Sequence, residues 1–291
     1  MDYKEMVLEQ LPGLTPDQVL TEPERKNTAP CIAYAAAKIH AINPNANLIV
    51  SPADHLIMQQ ENFKASIDAA INSAEQGRIA TIGIQPTRPD TGYGYIEFDN
   101  AKELTPNAVF PVQQFREKPD LETAKQFVAA GNFYWNSGIF IWKSSTVLNA
   151  LKEFQPALHG LFCSDLSAYN TEKEQVFVNH CFATCEDISI DFAVMEHANN
   201  IDLVLSNFDW SDLGTWGSLD GHLEKDNNNN AHIGSNTHLF NTKNCIINID
   251  DNKTAIIDGL EDYIVIQSDD KLMILRKENE QELKAYLKAV K

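Results

Sequence analysis

The sequence predicts an α/β fold, a largely parallel sheet covered by helices on both faces, followed by a small β-rich domain. Three observations carry this. Helical and extended patterns alternate through the first two-thirds of the chain, as in strand–crossover–strand units. The character changes at the polar tract Asp226-Asn-Asn-Asn-Asn230, which reads as a linker or a loop tip. Beyond it come only short extended runs punctuated by turn residues, until a terminal helix. The expected domains are therefore 1–225 and 231–291.

In chain order, residues 28–41 read as a helix. Thr28 is the expected N-cap, and Pro30 falls in the first turn, where its missing N–H does no harm. Residues 48–50 form a short buried strand. Residues 61–76 form a helix with Phe63, Ile67, Ile71 and Ala74 on one face and Gly77 beyond its end. A strand follows at 79–84. A helix at 121–130 lies between Asp120 and Gly131, a start and a stop signal. A strand at 139–142, helices at 145–154 and 192–198, and a strand at 201–205 complete the first domain. In the second, extended runs cover 237–240, 245–249, 254–257, 263–266 and 272–275. Asp258-Gly259 and Asp269-Asp270 turn the chain, and a helix over 278–290 closes it.

Composition narrows the function. The chain has 291 residues, 43% of them hydrophobic, enough for two domains and a substantial core. A net charge of −18 argues against a nucleic-acid partner. A phosphate ligand would have to be held by local donors or a metal, because the global field repels anions. No apolar run approaches the ~20 residues that cross a bilayer. Met1-Asp-Tyr-Lys-Glu-Met lacks a signal-peptide pattern. These features predict a cytoplasmic protein with no membrane partner. The cysteines Cys31, Cys163, Cys181, Cys185 and Cys245 have no framework spacing and read as reduced thiols. Cys181 and Cys185, near His180, lack the second pair that a zinc site would need.

The most informative stretch is Leu48-Ile-Val-Ser-Pro-Ala-Asp54-His55. In an open α/β sheet the carboxyl ends of strands are where ligands bind. An acid there can hold a divalent metal against a phosphate. A second acid, Asp212, lies in Trp210-Ser-Asp-Leu-Gly-Thr-Trp216. Each alone could equally be a cap or turn residue. Thr21-Glu22-Pro-Glu-Arg-Lys-Asn27-Thr28-Ala29-Pro30 places a polar loop at a helix start, where free N–H groups and the dipole suit an anion. A capped helix with nothing bound is the plain alternative. Arg88-Pro-Asp-Thr-Gly92-Tyr-Gly94-Tyr95 permits a tight turn near a ligand, or a hairpin. In Glu117-Lys118-Pro119 the lysine suits a phosphate and the glutamate suits sugar hydroxyls, unless the two form a surface ion pair. In Tyr134-Trp135-Asn136-Ser137-Gly138 an amide heads an apolar strand, and a buried amide needs a partner such as a sugar hydroxyl.

Taken together, these motifs resemble the sugar-1-phosphate nucleotidyltransferases. Glu22-Pro with Asn27-Thr-Ala-Pro, Pro52-Ala-Asp-His, Gly92-Tyr-Gly-Tyr, Glu117-Lys-Pro, Trp135-Asn-Ser-Gly, Ile188-Ser-Ile-Asp191 and Trp210-Ser-Asp-Leu-Gly-Thr-Trp216 stand in that family's order. The nearest likeness is to the branch that makes GDP-mannose and pyrophosphate from GTP and mannose 1-phosphate. The resemblance implies a Rossmann-like (GT-A-like) mixed sheet with helices on both faces and a small β-helix-like C-terminal domain. It implies Mg²⁺ as cofactor, held by Asp54 and Asp212, with Lys118 a third catalytic residue on a phosphate. It implies nucleotide contacts from Glu22, Asn27, Thr28, Ala29, Pro30 and His55, and sugar contacts from Gly94, Glu117 and Asn136. A homodimer is compatible with it. A nucleotidyltransferase for another sugar, a non-catalytic sugar-nucleotide-binding relative and a bifunctional isomerase form remain alternatives. The family's opening strand and glycine-rich loop, with its Arg and following Pro-Lys, have no counterpart here. Residues 1–11 match the stretch after them. The expectation is a chain without that phosphate cradle and with little turnover by itself.

Overall fold

The structure, a computed structural model, describes residues 3–99, 104–234 and 236–290. It divides into two compact units, one of residues 1–52 and 59–208, the other of 53–58 and 209–291. The division thus falls at residue 208, earlier than the asparagine tract.

In the first unit the helices are α1 (Lys4–Gln10), α2 (Thr28–Ile42), α3 (Gln60–Glu75), α4 (Leu121–Ala130), α5 (Ser144–Phe154), α6 (Pro156–Phe162) and α7 (Glu174–Thr184). Its strands are β1 (Asn47–Val50), β3 (Ile79–Ile84), β4 (Tyr95–Phe98), β5 (Val109–Arg116), β6 (Phe133–Lys143) and β7 (Ile201–Leu205); β2 (Leu56–Ile57) belongs to the second unit. The sheet order is β1-β6-β3-β7-β5-β4, with β4 also pairing to β6. Every residue of β3 is buried, and its one polar side chain, Thr81, donates its hydroxyl within the sheet.

The expectation of a largely parallel sheet is corrected. Within this sheet, among the described residues, only β3 and β7 pair in parallel; its other pairings are antiparallel. Periodicity reports that a strand exists, not its direction. Here β4 and β5 pair with each other antiparallel, and β6 runs against three neighbours. The mixed sheet implied by the family resemblance is what forms. β1 is an edge strand, and its Ile49 is 50% exposed.

Local signals explain most element ends. Asp120 accepts the Thr123 N–H at 2.9 Å and Gly131 stands in the left-handed region, closing α4 at both ends. The cap of α2 differs from expectation. Asn27, at φ 64°, accepts the Thr28 N–H at 3.0 Å, while Thr28 Oγ1 accepts the Ile190 N–H at 2.8 Å. The expected cap, Thr28, gives its hydroxyl to a long-range partner, and Asn27, a strong capping residue, takes the position. The helix expected at 192–198 shrinks to one wide turn over Asp191–Met195 with π-type hydrogen bonding. The strand expected at 139–142 begins earlier, at Phe133. α1, α6 and α7 were not anticipated.

In the second unit β2 pairs antiparallel with β8 (Trp210–Ser211), followed by α8 (Trp216–Asp220). Then the chain coils. β9 (Ala231–Ile233), β11 (Ile246–Asn248) and β13 (Tyr263–Ser268) stack in parallel, with Ala231, Ile246 and Ile264 above one another. β10 (Thr237–Phe240) and β12 (Ala255–Asp258) form a second parallel stack, and β14 (Lys271–Arg276) closes on β13 antiparallel. This is a short β-helix. Cys245, Ile247, Ile249 and Val265 fill its interior. The asparagine tract is its first corner. Asn229, Asn244 and Asp262 have φ values of 62°, 50° and 64°, a conformation these residues tolerate. Their side chains form a ladder from coil to coil, at 2.6 and 2.5 Å. The terminal segment is a tight turn over Lys277–Glu282 and then α9 (Leu283–Ala289). Among the described residues no helix is long and apolar enough to cross a membrane.

Candidate active site

In the first unit, four separated stretches bring polar groups to one place. The loop 88–94 is braced rather than a free hairpin. Asp90, 1% exposed, accepts from the Arg88 guanidinium at 2.8 Å and from the Gly92 N–H at 2.8 Å. The Asp90 N–H donates to the Tyr95 hydroxyl at 2.9 Å, and the Arg88 guanidinium lies 5.3 Å from the Trp135 ring centroid. This fixes Gly94, whose carbonyl accepts the Asn136 N–H at 2.8 Å. A Cβ on residue 94 would come within 2.5 Å of Glu117 Oε2 and 3.3 Å of Asn136 Cβ. Only a glycine lets the Glu117 carboxylate pack this close to the backbone.

Glu117 ends β5. Its side chain is 6% exposed, and one oxygen pairs with the exposed Lys118 ammonium. The other, Oε2, is buried with no hydrogen-bond partner. Lys118 itself has φ 44°, a strained conformation for a side chain of its size. Asn136 Oδ1 accepts from Gly138 N–H at 3.1 Å and Thr81 Oγ1 at 3.3 Å, while its Nδ2 donates to Asp191 Oδ1 at 3.0 Å. Burial, reinforced by the charge of Glu117, raises the Asp191 carboxyl to about 6; Lys118 and the Asn136 hydrogen bond act the other way. Sequence reasoning quoted Asp191 only within a motif and gave it no role. The available signal was an acid inside the apolar run Ile190-Asp191-Phe192-Ala193-Val194.

The nucleotide-motif residues lie around the start of α2. Glu22 Oε1 is buried and unpartnered, and burial raises its carboxyl above the usual range. It lines a cavity of about 460 Å³ together with Tyr3, Leu20, Arg25 and Cys31. Burial and the neighbouring Glu22 push the Cys31 thiol up to about 12. The backbone of 28–30 offers no free donor. The Thr28 N–H goes to Asn27, the Ala29 N–H to the Ile188 carbonyl at 3.1 Å, and Pro30 has none. Ala29 is fully buried. Burial likewise keeps the Cys181 thiol neutral, near about 11, so the paired cysteines are structural thiols.

The second unit holds Asp54, His55 and Asp212. Pairing of Leu56 with Ser211 sets the stretches 54–55 and 212 at the same end of the β2–β8 ribbon. Trp210 Nε1–H donates to His55 Nδ1 at 3.2 Å, which leaves the proton of a neutral ring on Nε2. Burial lowers the His55 pKa against the attraction of both Asp54 and Asp212, so the two carboxylates act on one ring. The Asp54 side chain is 88% exposed. Asp212 Oδ1 accepts the Gly214 N–H at 3.0 Å across a turn in which Leu213 has φ 51°. Among the described residues no group of three or more cysteine, histidine or acidic side chains could hold a metal. The exposed Asp54 carboxylate and the half-buried Asp212 carboxylate are nevertheless a donor set that fits a hard cation completed by phosphate oxygens and water.

The first unit thus carries a buried polar cluster on a mixed α/β sheet, and the second carries two carboxylates at one end of a ribbon and a short β-helix. Comparison with known proteins makes this specific. Residues 3–229 match the model of the Nucleotidyl transferase family, and the chain belongs to that family. Residues 236–289 match the MannoseP isomerase/GMP-like beta-helix domain. The alginate biosynthesis protein AlgA of Pseudomonas aeruginosa is 36% identical over 290 residues, covering 99% of this chain and 60% of AlgA. A mannose-1-phosphate guanylyltransferase of Klebsiella pneumoniae is 32% identical over 293 residues, covering 100% of this chain and 62% of that protein. The chain thus spans about 60% of the length of these relatives. A crystal structure described as mannose-1-phosphate geranyltransferase from Thermus thermophilus superposes with a TM-score of 0.77 at 25% identity, over 99% of this chain and 88% of that one.

Proposed function

We propose that this chain transfers a guanylyl group from GTP to mannose 1-phosphate, releasing pyrophosphate and forming GDP-mannose. The observation that carries the reading is Glu117 Oε2, a buried acceptor with no donor, packed against Gly94 where a Cβ would otherwise stand. A buried acceptor of this kind is satisfied by a ligand donor, and a sugar hydroxyl is the matching group. The Asn136 amide and the Asp191 carboxyl frame the same hydroxyl-binding corner, and the Lys118 ammonium at its rim suits the sugar's phosphate.

In this reaction a phosphate oxygen of the sugar attacks the α-phosphorus of GTP in line, the P–O bond to pyrophosphate breaks, and no covalent intermediate on the protein is needed. Catalysis is therefore mainly positioning and charge neutralisation. Glu117, Asn136 and Gly94 orient the sugar. Glu22 and Asn27 would contact base or ribose, and in the second unit His55 offers its Nε2–H as a hydrogen-bond donor. Asp54 and Asp212 would hold Mg²⁺, which when bound screens phosphate charge. Calorimetric titration in Mg²⁺ tests the reading. GDP-mannose should bind more tightly than UDP-glucose or dTDP-glucose; tighter binding of either pyrimidine nucleotide refutes the choice of base.

A further inference from the structure

We propose that Glu280, in the turn before the terminal helix, is a positioning residue for the Asp212 loop. The inference rests on the reading of Asp54 and Asp212 as cation ligands. The loop 212–215 joins β8 to α8, and α8 has five residues. A helix that short is not stable by itself and must be held by its surroundings. Part of the holding is local. Ser211 Oγ accepts the Leu213 N–H at 3.1 Å and donates to the Ser218 carbonyl at 3.3 Å. Thr215 and Ser218 form a reciprocal capping box, each side chain accepting the other's N–H at 3.0 Å.

That box leaves the Gly217 N–H unserved, and the terminal segment serves it. Both Glu280 carboxylate oxygens accept this N–H, at 3.0 and 3.2 Å. A carboxylate at a helix start is also favoured by the helix dipole. Gly217 makes the approach possible: a Cβ there would lie 2.5 Å from Glu280 Oε2. A second tie grips the far end of α8. Lys277 Nζ reaches Asp220 Oδ2 at 3.0 Å, and Lys225 reaches the same oxygen at 3.2 Å. The turn over Lys277–Glu282 therefore holds α8 at both ends, and Asp212 stands less than two turns upstream in a strained loop, with Leu213 at φ 51°. Loosening this grip lets the loop relax and turns the Asp212 carboxylate away from a bound cation.

The test is Mn²⁺ titration of the full chain, followed by the EPR signal of free Mn²⁺, beside hydrogen exchange of the 211–217 amides. Glu280→Ala should speed exchange at Gly217. It should raise the apparent Mn²⁺ Kd about tenfold, as for a loop competent about one time in ten. Glu280→Gln keeps an oxygen acceptor and should stay near the parent affinity, which separates loss of the tie from loss of folding. Gly217→Ala displaces the carboxylate while favouring the helix, so it should weaken Mn²⁺ binding without lowering thermal stability. Asp212→Asn, run alongside, should abolish binding. Parent affinity in Glu280→Ala and Gly217→Ala beside a lost site in Asp212→Asn overturns the positioning role alone. Parent affinity in Asp212→Asn overturns the cation assignment, and the positioning role with it.

Discussion

Replacing Asp191 by asparagine should stabilise the first unit at neutral and alkaline pH. The carboxyl is raised from the usual 3.8 to about 6, first by burial and then by the charge of Glu117. Such a rise corresponds to about 3 kcal/mol by which the ionised group opposes folding. The sign follows from proton counting. Between the two values the native chain holds a proton that the unfolded chain has released, so stability falls as pH rises through this window. The penalty is absent below the unfolded value and complete above about 6. Asparagine has nearly the same shape, carries no charge, and keeps an oxygen that can accept from Asn136 Nδ2. Asp191→Asn should therefore gain up to about 3 kcal/mol at pH 8, and the gain should fade toward zero near pH 4. Because the chain holds two compact units, the first must be read separately, by hydrogen exchange of β3 and β6 amides in a urea series at each pH. A gain that does not change between pH 4.5 and pH 8, or no gain at all, would refute the account. A stabilised variant would also mark Asp191 as a residue kept at the expense of stability, as binding sites often are.

Three further outcomes follow from the same geometry. Whatever rate of pyrophosphate release the chain supports should fall about a thousandfold in Asp212→Asn, equivalent to about 4 kcal/mol of transition-state stabilisation. Asp54→Asn should behave alike and the double variant should be little worse, because the two carboxylates act as one site; near-normal turnover at saturating Mg²⁺ would rule this out. Gly94→Ala drives a Cβ to within 2.5 Å of Glu117 Oε2, displaces that carboxylate, and should weaken mannose 1-phosphate binding at least about tenfold while leaving GTP binding unchanged, since a misplaced pocket atom commonly costs about 1–3 kcal/mol. Equal losses for both ligands would place the sugar elsewhere. Asn230 is fully buried and its side chain makes three hydrogen bonds, donating to Asp226 and Thr242 and accepting from Cys245. Asn230→Ala should destabilise the β-helix by about 3 kcal/mol, because it strands a buried carbonyl and a buried N–H; an unchanged melting profile for the second unit would contradict the corner's role.

The sequence by itself determined what depends on neighbours in the chain. The Asp120 and Gly131 stops bound α4, the apolar run of β3 is wholly buried, and the change of texture after residue 230 is a β-helix. Motif order also sufficed to reach the family, because each motif is a short local loop with its own turn chemistry. Strand direction was beyond it, since a period-two pattern reads the same in both directions, and so the sheet expected to be largely parallel is mixed. The cap of α2 was misplaced because Thr28 spends its hydroxyl on Ile190, a partner that no local window contains. Asp191 meets Asn136 across 55 positions of sequence, and Glu280 meets Gly217 across 63. Both acids are ordinary as letters and acquire their chemistry from burial and from a partner brought up by folding. Tertiary structure alone decides such contacts, because desolvation and hydrogen-bond geometry act on distances in space and not along the chain.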